Sequence, residues 1–220
     1  MSVSSVEDFQ QKIARELAWR KQEISGLRMS ARRSDGERAY LFRAGLVLLC
    51  AHWEGFLRNA VGLYFKHVFS QRLRIKDLAP NFVAAAFFAD VQRAGKADYP
   101  GSPETHGRLA QRILLGVDEI CTQSTWDVKT DGNPGTEVLA RLLASAGISP
   151  QLGFDAAAWS TMQVFINEQV VRDRHRVAHG EGFRVSRVEF RERSERMLEL
   201  LDRVSSELIA AAEQERYRSA

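Results

Sequence analysis

The stretch DAAAWSTMQVFINEQVVRDRHRVAHG, residues 155–180, decides the fold. Asp155 is placed to cap a helix, and Phe154 and Trp159 occupy the two positions of a hydrophobic staple across that cap. Trp159, Met162, Ile166, Val170 and Val177 recur at helical spacing, so one face is apolar and should lie on a core. Gly180 supplies the residue that turns left-handed most easily after a last helical turn. The reading is one helix, signalled at both ends, closing on Arg174-His175-Arg176-Val177-Ala178-His179-Gly180.

That last turn carries the candidate chemistry. Arg174 and His179 are five residues apart, about 140° around an α-helical axis, so they meet only if the end frays or the long arginine arm reaches around. A guanidinium grips phosphate through a planar fork of donors, and an imidazole is the side chain best suited to moving protons near neutrality. Together they match what RNA cleavage needs. His175 and His179 also have metal-ligand spacing, with Glu54 as a conceivable third ligand. Arg174 and Arg176 would repel a dication, so no metal site is expected. Glycine-rich phosphate loops, nucleophile elbows and CxxC pairs are absent, and no cofactor is implied.

Working outward, Val6, Phe9, Ile13, Leu17, Ile24 and Leu27 form one stripe and predict an amphipathic first helix over Val6–Leu27. Trp19 and Arg20 in it are read as packing and surface residues. Ser34 and Glu37 have capping-box spacing, so a second helix should run from about Glu37 to Phe69. Its part from Leu46 to Ala60 is apolar nearly all round, which makes it central, and polar groups within it need partners. Glu54 either pairs locally with Arg58 or crosses to Arg174 or Arg176 and orients the motif.

Residues 70–153 read as shorter helices between turn clusters: an apolar run from Pro80 to Val91, a helix opened by Ser102-Pro103 and running to about Ile120, a loop over Lys129–Gly135, and a helix Glu137–Ala146 stopped by Gly147. This segment is expected to fill structure or shape access to the site. After Gly180, Ser186 and Glu189 repeat the capping-box spacing. Phe190, Met197, Leu201, Val204 and Leu208 then mark a long helix suited to antiparallel packing on the motif helix. Residues from Glu213 to Ala220 are polar and expected to fray.

Composition bounds the rest. The 220 residues, 45% of them hydrophobic, suffice for one substantial core, and a single domain over 1–220 is expected. Net charge of +3 is only mildly basic and does not itself demand nucleic acid. Cys50 and Cys121 show no metal or redox spacing and are read as buried thiols in a reducing cytoplasm. Neither a secretory signal nor a membrane span is indicated.

The Arg174–His179 ending, with His175 in the polar slot after the arginine, resembles the signature of the HEPN superfamily of small helical RNases and nucleotide-binding domains. The runs His52-Trp53-Glu54-Gly55-Phe56 and Arg174 to Glu181 resemble its prokaryotic RiboL-PSP/MAE-type branch, found beside defence and toxin genes. The resemblance covers roughly Val6–Phe69 and Asp155–Leu208. It implies an all-α, HEPN-type antiparallel bundle with additional helices inserted over residues 70–153. It also implies a metal-independent endoribonuclease of a toxin–antitoxin or antiviral defence system, or a catalytically silent module for binding RNA or nucleotide or for protein interaction. Arg174, His179 and His175 would carry catalysis, with Glu54 and Arg176 supporting. The implied partners are RNA, an antitoxin or defence protein, and a second copy in a homodimer.

Overall fold

The computed structural model describes residues 3–32, 39–96, 105–130, 132 and 134–219. Helix α1 spans Val6–Arg32 and α2 spans Ala39–Ser70, after which α3 (Pro80–Ala86), α4 (Phe88–Ala94), α5 (His106–Gly116) and α6 (Thr136–Ser145) occupy the middle. Helix α7 (Ala156–Val164), a π-helical segment (Phe165–Arg172) and α8 (Asp173–Ala178) then form the motif helix, followed by α9 (Arg187–Glu213). No helix among the described residues is long and apolar enough to cross a membrane.

Side-chain contacts fix the directions of the long helices. Glu16 meets Asn59 and Glu23 meets His52, so α1 and α2 are antiparallel. Arg28 pairs with Glu195, Lys21 with Asp202 and Gln10 with Glu213, so α1 and α9 are antiparallel as well. Phe42 packs on Phe190 and His67 on Tyr217, which makes α2 and α9 parallel. Asp173 meets Arg193, Phe165 meets Arg196 and Phe154 meets Arg203, so the motif helix runs antiparallel to α9, as its apolar spacing predicts. The result is an all-α antiparallel bundle.

Helix α2 is the central member. Phe42, Leu46, Leu49, Cys50, Trp53, Phe56, Leu57, Ala60, Val61, Tyr64, Phe65, Val68 and Phe69 along it are all buried, as expected of a helix apolar on every side. Its C-terminal half carries the middle segment. Phe65 contacts Phe82 at 5.1 Å and Trp126 at 4.8 Å between ring centroids, so both halves share one buried apolar cluster.

Several boundaries differ from the sequence reading. Helix α1 continues to Arg32, while Ser34 and Glu37 lie outside the described residues. The run from Pro80 to Val91 splits at Phe87, whose ψ of 7° interrupts the helix. Ser102 and Pro103 lie outside the described residues, as do Asp131 and Asn133 of the expected loop. Helix α5 ends at Gly116 rather than Ile120: the chain beyond it turns, and its Glu119 and Val117 carbonyls accept from the Ile75 and Lys76 amides instead of continuing the helix.

Cys50 is buried, but Cys121 lies outside any helix, half-buried, with its thiol donating to the Gln123 carbonyl. The C-terminal residues also depart from the expected fraying. Tyr217 is 1% exposed, the Tyr217 carbonyl accepts from Ala79, and Ser219 donates to Asp77, so buried ring area and backbone pairing outweigh the polar composition there.

Gly45 shows how tightly α2 and α9 approach: a β-carbon there would stand 2.5 Å from the Phe190 ring. Gly45→Ala should therefore lower unfolding stability by about 1–3 kcal/mol despite alanine's better helix propensity. Chemical denaturation checks this, and a variant more stable than the parent would show that the ring shifts freely.

Candidate functional site

The motif helix begins as its sequence predicts. Asp155 accepts a hydrogen bond from the Ala158 amide at 2.8 Å, and the Phe154 and Trp159 rings stack at 6.4 Å across the cap. It also ends as predicted. Glu181 N–H bonds the Arg176 carbonyl and Gly180 N–H bonds the Val177 carbonyl, a Schellman closure that needs Gly180 at its φ of +77°. The apolar contact that usually crosses such a closure is replaced by an ion pair, Arg176 Nε to Glu181 at 2.8 Å.

Between those ends the helix is not uniform, because Phe165–Arg172 is wound as a π-helix. A wider turn breaks the regular ladder and leaves carbonyls for side chains to satisfy. Arg193 of α9 does this: its Nη1 donates to the Gln169 carbonyl at 3.1 Å and to Asp173 Oδ2 at 2.7 Å. Asp173, the first residue of α8, is buried, as is Arg193. A carboxylate and a guanidinium thus meet in the core where the helix returns from π to α.

This pair is not among the expected site residues, yet a signal exists. Asp173 falls between Val170 and Val177 on the apolar stripe, and Arg193 falls between Phe190 and Met197 on the stripe of the opposing helix. Two opposite charges on two facing apolar stripes are best satisfied by each other.

The α8 turn sorts the motif residues onto different sides. Arg174 is half-buried and turned toward α2, where its charge acts on the Cys50 thiol, and it makes no hydrogen bond or ion pair within the described residues. His175 and His179 are exposed, their rings in contact at 4.2 Å between centroids. His179 already leaves the helix, with ψ of 8°. Arg174 thus offers an uncommitted guanidinium and the histidines an accessible imidazole pair. Arg176 is committed elsewhere, to Glu181, to Asp173 at 3.5 Å, and over the Phe183 ring at 4.4 Å. It braces the turn.

Glu54 takes neither of the two expected pairings. Its Oε1 accepts a hydrogen bond from Thr130 at 2.6 Å, and Thr130 is itself buried. Beside it, Trp53 Nε1 donates to the Pro134 carbonyl, so consecutive α2 residues hold both ends of the loop leading into α6. Asn167 in the π segment accepts from the Thr136 amide at 2.9 Å and fastens the same loop from the other side. The buried and half-buried partners of this loop outcompete the exposed Arg58.

Burial pushes the Cys50 thiol up to about 11, with Arg174 opposing and Glu54 assisting, so it stays protonated near neutrality and is no nucleophile. The rest of the His52–Phe56 run is also packing. Gly55 leaves room for Arg20, whose guanidinium would lie 3.2 Å from an added β-carbon. Arg20 is itself buried between Trp19 and Phe56 and bonded to Glu16. His52 lies 3.4 Å from Glu23, and burial lowers its pKa. Among the described residues no three His, Cys, Asp or Glu side chains are grouped to hold a metal ion, and Glu54 is not joined to the His175–His179 pair.

With these features the chain is a HEPN protein: the MAE_28990-like HEPN family matches residues 9–217, nearly its whole length, and the chain belongs to that family. No curated protein and no solved structure matches it significantly.

Two stability outcomes follow from the bonded pairs. Asp173→Ala, which strands the Arg193 cation in the core, should cost about 3–5 kcal/mol, and Asp173→Ala with Arg193→Met should recover much of it. Urea denaturation of both variants checks the pair; a single variant as stable as the parent would show that water reaches Arg193. Glu54→Ala should cost about 1–3 kcal/mol by leaving the Thr130 hydroxyl unpaired, whereas Glu54→Gln keeps the acceptor and most of the stability. Equal melting of Glu54→Ala and the parent would mean the Thr130 bond contributes nothing.

Proposed function

We propose that this HEPN protein is a metal-independent endoribonuclease acting through Arg174 and His179. The observation that supports the reading most directly is the uncommitted state of the motif: the Arg174 guanidinium has no protein partner among the described residues, and the His175 and His179 rings stand together, exposed, at the end of one short helix. A structural arginine would be expected to hold a carboxylate, as Arg176 and Arg193 do.

In this mechanism the ribose 2′-hydroxyl attacks the adjacent phosphorus, its proximity supplied by the sugar. His179 takes the 2′-hydroxyl proton as general base, or delivers a proton to the departing 5′-oxygen as general acid. Arg174 stabilises the charge that grows on the phosphorane-like transition state, and His175, in ring contact with His179, orients it or binds the phosphate. A 2′,3′-cyclic phosphate and a 5′-hydroxyl result.

One Arg and one His are sparse for both proton transfers, and the histidines lie on an exposed helix end. A homodimer that faces two motif helices across a two-fold axis would double the set without new residues. A toxin or defence role, held in check by an antitoxin or partner protein, belongs to the same reading.

Purified protein incubated with unstructured RNA in EDTA should yield 2′,3′-cyclic phosphate ends. His179→Ala should lower the rate by about 10²- to 10⁴-fold with helicity intact, and Arg174→Lys should not restore full activity, because an ammonium lacks the bidentate fork. RNA with a 2′-O-methyl group at the scissile nucleotide should resist. Full inhibition by EDTA, reversed by magnesium, would overturn the mechanism. RNA bound but left whole by the parent would favour the silent binding module.

A further inference from the structure

A second basic surface lies away from the motif, in the middle segment. A cleft of about 710 Å³ between α4, α6 and the 125–129 stretch is lined by Arg93, Lys96, Lys129 and Arg141, with Phe88 and Trp126 among them. Asp127 is the one carboxylate among the described residues of that lining. Arg93 reaches Asp90 at 3.3 Å but is exposed, and Lys96 and Lys129 are exposed as well. In another arginine-bearing cleft, by Arg28, Arg187 and Arg191, Glu195 pairs with Arg28 at 2.7 Å and approaches Arg191 at 4.0 Å.

Cations interleaved with aromatic rings suit a single strand, because the cations follow phosphates and the rings offer faces on which only unpaired bases stack. Trp126 is braced for this. One side of its indole packs on the buried Phe65 ring at 4.8 Å, which fixes its orientation, while the residue also lines the cleft.

The cleft connects to the motif through a short chain of neighbours. Thr130, next to Lys129, bonds Glu54 on α2. Glu54 stands one helical turn from Cys50, and both Glu54 and Arg174 act on the Cys50 thiol. Thr130 and Cys50 are buried, so these contacts fix the cleft wall in place against the side of α2 that Arg174 faces.

We propose that this cleft binds single-stranded RNA and delivers it to Arg174 and His179, so that the middle segment is a substrate-binding element. The proposal rests on the RNA-cleaving reading for the destination of the strand, but not for the binding itself.

The test uses the full chain carrying His179→Ala, with a fluorescein-labelled unstructured RNA dodecamer followed by anisotropy at several salt concentrations. Replacing Lys96 and Lys129 together by alanine should weaken binding about tenfold or more at low salt. It should also reduce the slope of log affinity against log salt by about 1.4, because each phosphate neutralised on a single strand accounts for roughly 0.7 of that slope. RNA should quench tryptophan fluorescence, and Trp126→Phe, which keeps a ring against Phe65, should remove most of that quenching. Affinity and slope unchanged in the double variant would overturn the proposal. Polyglutamate binding as tightly as RNA would also overturn it, in favour of an acidic protein partner. Failure of the cleavage reading looks different: RNA bound in the cleft and left whole by the parent.

Discussion

The buried contact of Asp173, Arg193 and the Gln169 carbonyl governs how the motif is presented. It sits where the π segment returns to an α-helix, and it joins the motif helix to α9 at that point. Without Arg193 the Gln169 carbonyl would lose a donor and the Asp173 carboxylate its counter-charge, both in the core. Their mutual satisfaction lets the helix keep a wider turn immediately before Arg174, and the orientation of Arg174, His175 and His179 depends on that turn.

A second constraint comes from α2, whose aromatic and aliphatic residues are largely buried. Along its His52–Gly55 run, His52 is set beside Trp19 and Glu23, Trp53 and Glu54 hold the loop before α6, and Gly55 admits Arg20. The His52–Phe56 run, which shares in the family resemblance, is therefore largely a joining device. It connects the bundle, the middle segment and the wall against which Arg174 rests.

What is legible in the sequence follows from the range of the interactions. Both ends of the motif helix can be read there, since the Asp155 cap, the Phe154–Trp159 staple and Gly180 act within one turn of their own positions. The same holds for the capping box of Ser186 and Glu189 and for the central placement of α2. The π winding is not legible, because Ile166 and Val170 fit an α-helical stripe equally well, and what sustains the wider turn is supplied by Arg193 from another helix. Glu54 escapes a sequence reading for a related reason. Its partner, Thr130, lies 76 positions away in a segment whose path no local pattern gives.

The π segment also acts as a rotational gear. Each residue of an α-helix turns it by about 100°, so one residue accommodated in a wider turn resets the azimuth of everything beyond it without lengthening the element by much. In this chain the apolar face of α7 and the direction of Arg174 on α8 are thereby set independently. Lineages that lose one residue between Phe165 and Arg172 would keep a helix of nearly the same length while swinging Arg174 away from α2. The side toward which Arg174 points is therefore a matter of helical phase, which can change with every motif residue still in place.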